Sequence, residues 1–240
     1  MADQKPYNLC IATAAYFGPY GNCRGDERRS YMERMIASWV GIEWPEGLRF
    51  KWLISDDASP VDVPPFPPHG NGCDVEIVKQ PRNLGNQQNI LWVCGEAAKQ
   101  AYWVLYADND GIFSKDCITR MLNLAWRFPW AMAYSAFNTK YHYPVPHPVT
   151  DERLIALGVQ ETQGADYVLK ASGCEHGLMF RADDWLNDNT WVCSLHSGIK
   201  DNVGPYPCLK PSGLQHIGKR GLSGTMDDFD AAFKEEGVSA

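Results

Sequence analysis

No apolar run in these 240 residues approaches the roughly 20 that a helix needs to cross a bilayer, and the opening Met-Ala-Asp-Gln-Lys-Pro-Tyr has no apolar signal core. The expectation is a soluble, cytoplasmic protein with no membrane partner. Cys-x-x-Cys pairs are missing as well. The eight cysteines, at 10, 23, 73, 94, 117, 174, 193 and 208, are scattered, several of them in apolar surroundings. That usage argues for reduced core thiols and against disulfides or a structural zinc site. Positive charge is in deficit: the formal net charge is -7, which disfavours nonspecific attraction to polyanions while leaving room for a local phosphate-binding surface. The chain shows neither an internal repeat nor a linker between two domains.

What is there is the composition of one packed domain, with 45% hydrophobic and 21% charged residues. Residues 8–16 read as a first strand and 17–29 as a loop. Ser30 then suits the cap of a helix containing Tyr31, Met35, Ile36 and Val40. A second strand over 49–55 runs into Asp56-Asp57-Ala58-Ser59-Pro60, a third spans 75–79, a helix covers 86–100, and a fourth strand covers 102–107. Short apolar strands alternating with helices predict an α/β, Rossmann-like domain: a mostly parallel central sheet with helices on both faces, binding ligands beyond the carboxyl ends of the strands. The Pro-rich 61–72 stretch reads as a surface loop, 141–150 as an irregular substrate-side segment, and 226–240 as an acidic tail or short terminal helix.

The most informative stretch is 102–111, Tyr-Trp-Val-Leu-Tyr-Ala-Asp-Asn-Asp-Gly, where an apolar strand ends in two carboxylates. Side chains two apart in extended backbone point the same way, so Asp108 and Asp110 can converge on a hard cation, Mg²⁺ or Mn²⁺, or on a cation and a ribose hydroxyl. The plainer alternative is an acidic turn closing the strand, with Gly111 supplying a positive φ. An EF-hand does not fit, because that register puts Tyr106 and Cys117 at loop positions that require carboxylates.

Four features in order carry a resemblance: the first strand, the Asp56-Asp57-Ala58-Ser59 turn, the Asn83-Leu84-Gly85-Asn86-Gln87-Gln88-Asn89 loop, and Asp108-Asn109-Asp110. Together they resemble GT-A glycosyltransferases, family 2 in particular, over about residues 8–120. The resemblance implies that Thr13 and Ala14 on the first strand, with Asp56 and Asp57, hold a nucleotide, that Asn83 and Gly85 lie beside it, and that Asp108, Asn109 and Asp110 bind metal and nucleotide sugar. Taken singly, Asp56-Asp57 also reads as an Asx turn and Asn83-Gly85 as a helix start. Further on, Pro211-Ser212-Gly213-Leu214-Gln215-His216-Ile217-Gly218 resembles a Pro-Ser-Leu-x-x-His-x-Gly segment of some GT-A enzymes. That match implies His216 as a further metal ligand, with Lys219 and Arg220 reaching phosphate oxygens; a hydrogen-bonded core histidine and a solvated turn are the alternatives.

An inverting transfer also needs a carboxylate to take the acceptor proton. The resemblance points to an acidic residue ahead of the histidine, and Asp201 in Gly-Ile-Lys-Asp-Asn is the leading candidate, although the preceding Lys200 departs from the family's Glu-Asp pair. Glu175, in Ala-Ser-Gly-Cys-Glu-His-Gly, and Asp183 are the runners-up. Trp185, Trp191, His142 and His147 are secondary candidates for an acceptor pocket, with core packing and solvated loop as alternatives.

The implied function is metal-dependent transfer from a nucleotide-diphosphate sugar, UDP-linked, within one GT-A-like domain over 1–225, whose nucleotide-sugar half spans about 8–120 and whose acceptor half spans 121–225. The hydroxyl acceptor stays open between a glycan, a small molecule, a protein and a hydroxymethylated DNA base. Arg24, Arg28 and Arg29 beside Tyr16, Phe17 and Tyr20 motivate DNA, whereas a solvated loop is the simpler account. Two other classes compete. A nucleotidyltransferase shares the sheet and the metal carboxylates, but no Gly-rich basic loop follows the first strand; a noncatalytic nucleotide-sugar-binding protein would bind without turnover.

Overall fold

A computed structural model describes residues 4–19, 24–67, 73–139, 144–146, 149–150, 152–171, 176–187 and 205–217. The elements run β1 (Tyr7–Ala15), α1 (Gly25–Val40), β2 (Phe50–Asp56), β3 (Cys73–Lys79), α2 (Asn86–Gln100), β4 (Ala101–Tyr106), β5 (Gly111–Phe113), α3 (Cys117–Arg127), β6 (Ala133–Ser135), α4 (Glu152–Ala156), β7 (Tyr167–Lys170), β8 (Leu178–Arg181), α5 (Ala182–Asn187), β9 (Tyr206–Leu209) and β10 (Leu214–His216). Eight strands form one sheet in the order β3-β2-β1-β4-β8-β6-β9-β7, and β10 and β5 form a separate two-stranded ribbon. Pairing is parallel from β3 through β4. β8 then runs antiparallel to both β4 and β6, β9 is parallel to β6, and β7 is antiparallel to β9. The mostly parallel α/β sheet read from the alternating pattern is the one observed.

Period-two alternation builds two cores. Leu9, Ile11, Trp52 and Ile54 face one side and meet Met32, Met35, Ile36 and Trp39 of α1 and Ile118, Met121 and Leu124 of α3. Cys10, Ala12, Leu53 and Val104 face the other and meet Val93, Cys94, Ala97 and Ala98 of α2 with Trp185 of α5. Every residue of β2 is buried, as befits a strand covered on both faces, whereas edge strand β3 is largely exposed.

One local reading differs. α1 begins at Gly25, not after Ser30: the Glu27 carboxylate accepts the Arg24 backbone N–H at 3.2 Å, and the Ser30 hydroxyl donates to the Glu27 carbonyl at 2.8 Å inside the helix. Within the helix Trp39 is buried and Val40 is 49% exposed. In the described part of the Pro-rich stretch, Phe66 packs its ring edge-on against Trp52 (centroids 5.2 Å apart) and Trp39 (5.8 Å). Among the described residues no helix is long and apolar enough to cross a membrane.

Strand order decides where a site can form. The chain leaves β1 towards β2 and β3 on one side, then crosses back to β4 on the other, so the sheet opens a crevice beyond the carboxyl ends of β1 and β4.

Candidate active site

The backbone at that crevice is tightly tied. Beyond the paired strands, the Asp57 N–H donates to the Ala15 carbonyl (2.8 Å) and the Ala107 N–H to the Ala12 carbonyl (3.0 Å), carrying the β2 and β4 ends forward beside β1. Asp56 and Asp57 are both 2% exposed. One Asp56 oxygen accepts the Ser59 N–H at 3.0 Å, and Lys79 Nζ lies 3.9 Å from the other. Asp57 accepts the Leu84 N–H at 2.6 Å on one oxygen and the Gly85 N–H at 3.0 Å on the other, while the Asn83 side-chain amide donates to the Asp57 carbonyl at 3.3 Å. Asp57 therefore clamps the Asn83-Gly85 loop to the end of β2. Gly85, at φ 82°, turns the chain into α2 in a region closed to most side chains.

Below the clamp lies a buried polar network. Asn89 pairs with the Ser55 hydroxyl and donates to the Ser55 carbonyl at 3.1 Å, and Gln80 donates to the same hydroxyl at 2.9 Å. The Thr13 hydroxyl accepts the Trp52 indole N–H at 3.0 Å and is fully buried, so the Thr13 side chain is committed within the sheet. Ala14 is partly buried against the α2 core.

Asp108 and Asp110 do not sit on extended backbone. They occupy a turn in which the Gly111 N–H reaches the Asp108 carbonyl at 3.3 Å, with Asn109 partly exposed between them. Gly111 does not have a positive φ; a Cβ there would meet the Leu214 side chain at 3.0 Å, so any larger residue requires Leu214 of β10 to shift. Two antiparallel registers then deliver a histidine to each carboxylate. Leu178 of β8 pairs with Tyr106 of β4, so His176, two residues before the one, meets Asp108, two residues after the other. His216 of β10 pairs with Gly111 and reaches Asp110.

The result is two stacked Asp–His pairs. His176 Nδ1 contacts Asp108 Oδ2 closely, and Tyr106 donates to Asp108 Oδ1 at 2.6 Å. His216 Nε2 lies 2.9 Å from Asp110 Oδ2. The imidazoles stack 4.2 Å apart and 13° from parallel, and Phe137 meets His176 edge-on at 5.9 Å. Burial works against the Asp108 carboxylate, but the His176 charge and hydrogen bond outweigh it and hold its carboxyl below the usual range. Burial opposes an imidazolium at His176 too, and the Asp108 charge raises it above an ordinary histidine.

A divalent cation fits this donor set. Asp110, His176 and His216 each offer a ligand atom within 4.8 Å of the others. Opposite ligands on bonds of about 2.1 Å are about 4.2 Å apart, so the spacing is within one cation's reach once the imidazoles, stacked 13° from parallel, turn their ring planes towards it. Among the described residues, Asp110 Oδ1 is a buried oxygen with no hydrogen-bond partner, an expensive state that a cation relieves.

His176 is the residue that sequence reasoning passed over. It sat beside Glu175 in a segment weighed for an acceptor-side carboxylate, and only the β4–β8 register reveals its place. Asp183 is at the wrong end: β8 carries the chain away from Asp108, and Asp183, 75% exposed, binds Lys5 at 2.7 Å. Trp185 is core, stacked on Phe180 at 5.0 Å. Asp201, Glu175, Lys219, Arg220, His142, His147, Trp191, Tyr20 and the 226–240 tail lie outside the described residues. The candidate phosphate-gripping arginines have local partners: Arg28 donates to the Tyr16 carbonyl at 3.2 Å, Arg29 pairs with Glu33 at 2.5 Å and Arg24 with Asp26 at 3.2 Å.

No protein-family model matches the chain, and no curated protein matches it. Solved structures do. A structure of GalNAc-T7 with UDP, GalNAc and Mn²⁺ superposes at a TM-score of 0.57 with 11% identity, covering 90% of this chain and 45% of that one. The S. aureus TarS 1–349 structure gives a TM-score of 0.47 at 11% identity over 76% of this chain and 49% of its own, and the same fragment in complex with UDP-GlcNAc also gives 0.47. The chain spans about half the length of the solved structures it matches. The GalNAc-T7 likeness shows that the fold is of the GT-A type.

Proposed function

We propose that this chain is a metal-dependent glycosyltransferase that moves a sugar from a UDP-linked donor to a hydroxyl acceptor. The observation that carries the reading is the convergence of Asp108, Asp110, His176 and His216, with the partnerless Asp110 oxygen among them, at the switch point of a GT-A-type sheet. The solved relative with the same fold holds UDP and Mn²⁺, which supports a nucleotide-sugar donor and a divalent cation here.

In this reading the nucleotide lies over the β1, β2 and β4 ends. Asp56 accepts from the base or ribose, with oxygen capacity left beyond the Ser59 amide. Asp57 keeps the Asn83-Gly85 loop in place beside the nucleotide. Asp108, Asp110, His176 and His216 would hold Mn²⁺ or Mg²⁺, which supplies positive charge against the diphosphate as the sugar departs. Lys219 and Arg220 add point charges to the phosphates. Asp201 takes the acceptor proton in an inverting attack, with Glu175 as the alternative base. The nucleotide half covers about 8–120 and the acceptor half 121–225, with 226–240 as an appended tail.

Thermal melting and calorimetry across UDP, GDP, CMP and UDP-sugars, each with Mn²⁺ and with chelator, test the reading, because ligand bound to the folded state raises stability. Metal-dependent stabilisation by UDP and a UDP-sugar is expected. Indifference to every nucleotide with metal present would overturn it.

A further inference from the structure

The central sheet has two edge strands, β7 and β3, and the chain treats them differently. At β7 the outer backbone groups are taken. The Leu169 N–H donates to the Thr162 carbonyl at 2.7 Å, the Leu169 carbonyl accepts the Val145 N–H at 2.8 Å, and the Tyr167 carbonyl accepts the Gly164 N–H at 2.9 Å. Among the described residues β3 pairs with β2 alone. Its 7 residues hold an unbroken register from Phe50↔Cys73 to Asp56↔Lys79, with no bulge and no proline.

One bond decides which groups face outward. The Gln80 N–H reaches the Asp56 carbonyl at 2.7 Å, so Gln80 and every second residue before it, Val78, Glu76 and Asp74, turn their N–H and C=O towards β2. Val75, Ile77 and Lys79 turn theirs outward, and Ile77, in the middle of that row, is 44% exposed. The charges that could guard such an edge are paired within the protomer, Glu76 with Lys51 at 2.5 Å and Lys79 with Asp62 at 3.4 Å.

We propose that β3 is an interface between two copies of this chain, joined edge to edge in antiparallel register about a two-fold axis at Ile77. The two sheets then become one, with eight strands from each copy. The strand complements itself in that register and not in its neighbours. Outward residues must pair with outward residues, so the axis falls on Glu76, Ile77 or Val78 if most of the strand is to be matched. An axis on Glu76 sets two glutamates directly opposite each other. An axis on Val78 sets Val75 against Pro81, which has no N–H to give. An axis on Ile77 sets Ile77 on its own copy, Val75 against Lys79, Glu76 against Val78 and Asp74 against Gln80, with no like charges opposed. The acidic first half of each strand, Asp74 and Glu76, then lies along the end that carries Lys79 in the other. A segment of another protein could use the same outward hydrogen bonds, but this two-fold match belongs to the strand's own sequence. Because the copies run antiparallel, their crevices beyond β1 and β4 open in opposite directions, and the pairing is independent of the chemistry proposed there.

Sedimentation equilibrium of the full chain tests the pairing. One strand pair is small for a protein interface, so a monomer–dimer midpoint on the order of 10–100 µM is expected. Copies of net charge -7 repel at a distance, and the midpoint should fall as added salt screens them. Amide hydrogen exchange followed by NMR below and above the midpoint reads the register. The Val75, Ile77 and Lys79 amides should slow as the dimer forms, whereas those of Asp74, Glu76 and Val78, already bonded to β2, should keep their rates.

Ile77→Lys sets two like charges opposite each other on the axis and should raise the midpoint at least about tenfold, while Ile77→Val should leave it close to the parent's. Circular dichroism verifies that both variants are folded. A chain that stays monomeric well above that range overturns the proposal. So does a dimer that Ile77→Lys leaves intact, or one whose new protection falls elsewhere than on the three outward amides.

Discussion

His176 and His216 stack face to face, centroids 4.2 Å apart and 13° from parallel, although one enters strand β8 and the other ends the separate β10 ribbon. Each brings its own aspartate contact, Asp108 to the first and Asp110 to the second. The contact therefore reports that two independent strand registers close on one point, and chemistry at that point depends on both.

Asp110→Ala should abolish transfer and leave the fold intact. The residue sits in a turn beyond β4, and removing its Oδ1, a buried oxygen with no hydrogen-bond partner among the described residues, offsets the loss of the Oδ2 contact with His216 when no cation is bound. Turnover should fall by roughly 100-fold or more, as when one preorganised electrostatic partner is deleted from an active site. The melting temperature in chelator should stay close to the parent's. Normal metal-dependent turnover in the purified variant would remove that carboxylate from the mechanism.

Gly111→Ala tests the ribbon. The new methyl would lie 3.0 Å from the Leu214 side chain, between strands β5 and β10, and room for it comes only by moving Leu214. Since His216 follows Leu214 on the same short strand, its distance from Asp110 should grow. A fall in Mn²⁺ affinity of about tenfold is expected, with the circular dichroism of the main sheet preserved. Unchanged affinity would mean that the ribbon absorbs the methyl without displacing His216.

Asp57→Ala separates clamp from ligand contact. Both carboxylate oxygens are consumed by the Leu84 and Gly85 amides, so the substitution removes the acceptor of the Leu84 N–H at the start of α2, while the Gly85 N–H keeps Asn83 Oδ1 at 3.0 Å. The ligand-free protein should lose about 3 kcal/mol in urea denaturation, given bonds of this charged type. A stability loss seen only with nucleotide present would instead make Asp57 a ligand contact.

These cases show why the fold was more legible than the site. The strands and the 86–100 helix follow from apolar periodicity, which is local, and the structure places α2 at Asn86–Gln100. Asp108 and Asp110 were visible because two carboxylates close an apolar strand. His176 was not, because its meeting with Asp108 is a property of antiparallel register between strands far apart in the chain. The start of α1 was misplaced for a subtler reason: a side chain within the helix, Glu27, closes the helix end on its own predecessor, and Ser30 had the better composition for a cap.

The buried thiols give a prediction independent of any ligand. Burial pushes Cys10, Cys73 and Cys117 up to about 12 and raises Cys94 well above an ordinary thiol, because a thiolate loses its hydration there. These four should resist iodoacetamide in the native protein at pH 8 and react once it is denatured, as read by mass spectrometry of each peptide. The sign of the pH effect follows from the same shifts. A thiol with a raised folded-state pKa keeps its stability contribution below the unfolded value of about 9 and loses it as pH rises towards about 12, because the unfolded chain ionises first. The melting temperature should therefore fall between pH 9 and 12. Replacing Cys10 by Ala should flatten that fall, while also lowering stability at neutral pH by leaving a small cavity beside Leu53 and Val104. An equally steep alkaline fall in the Cys10→Ala protein would assign the titration to other groups.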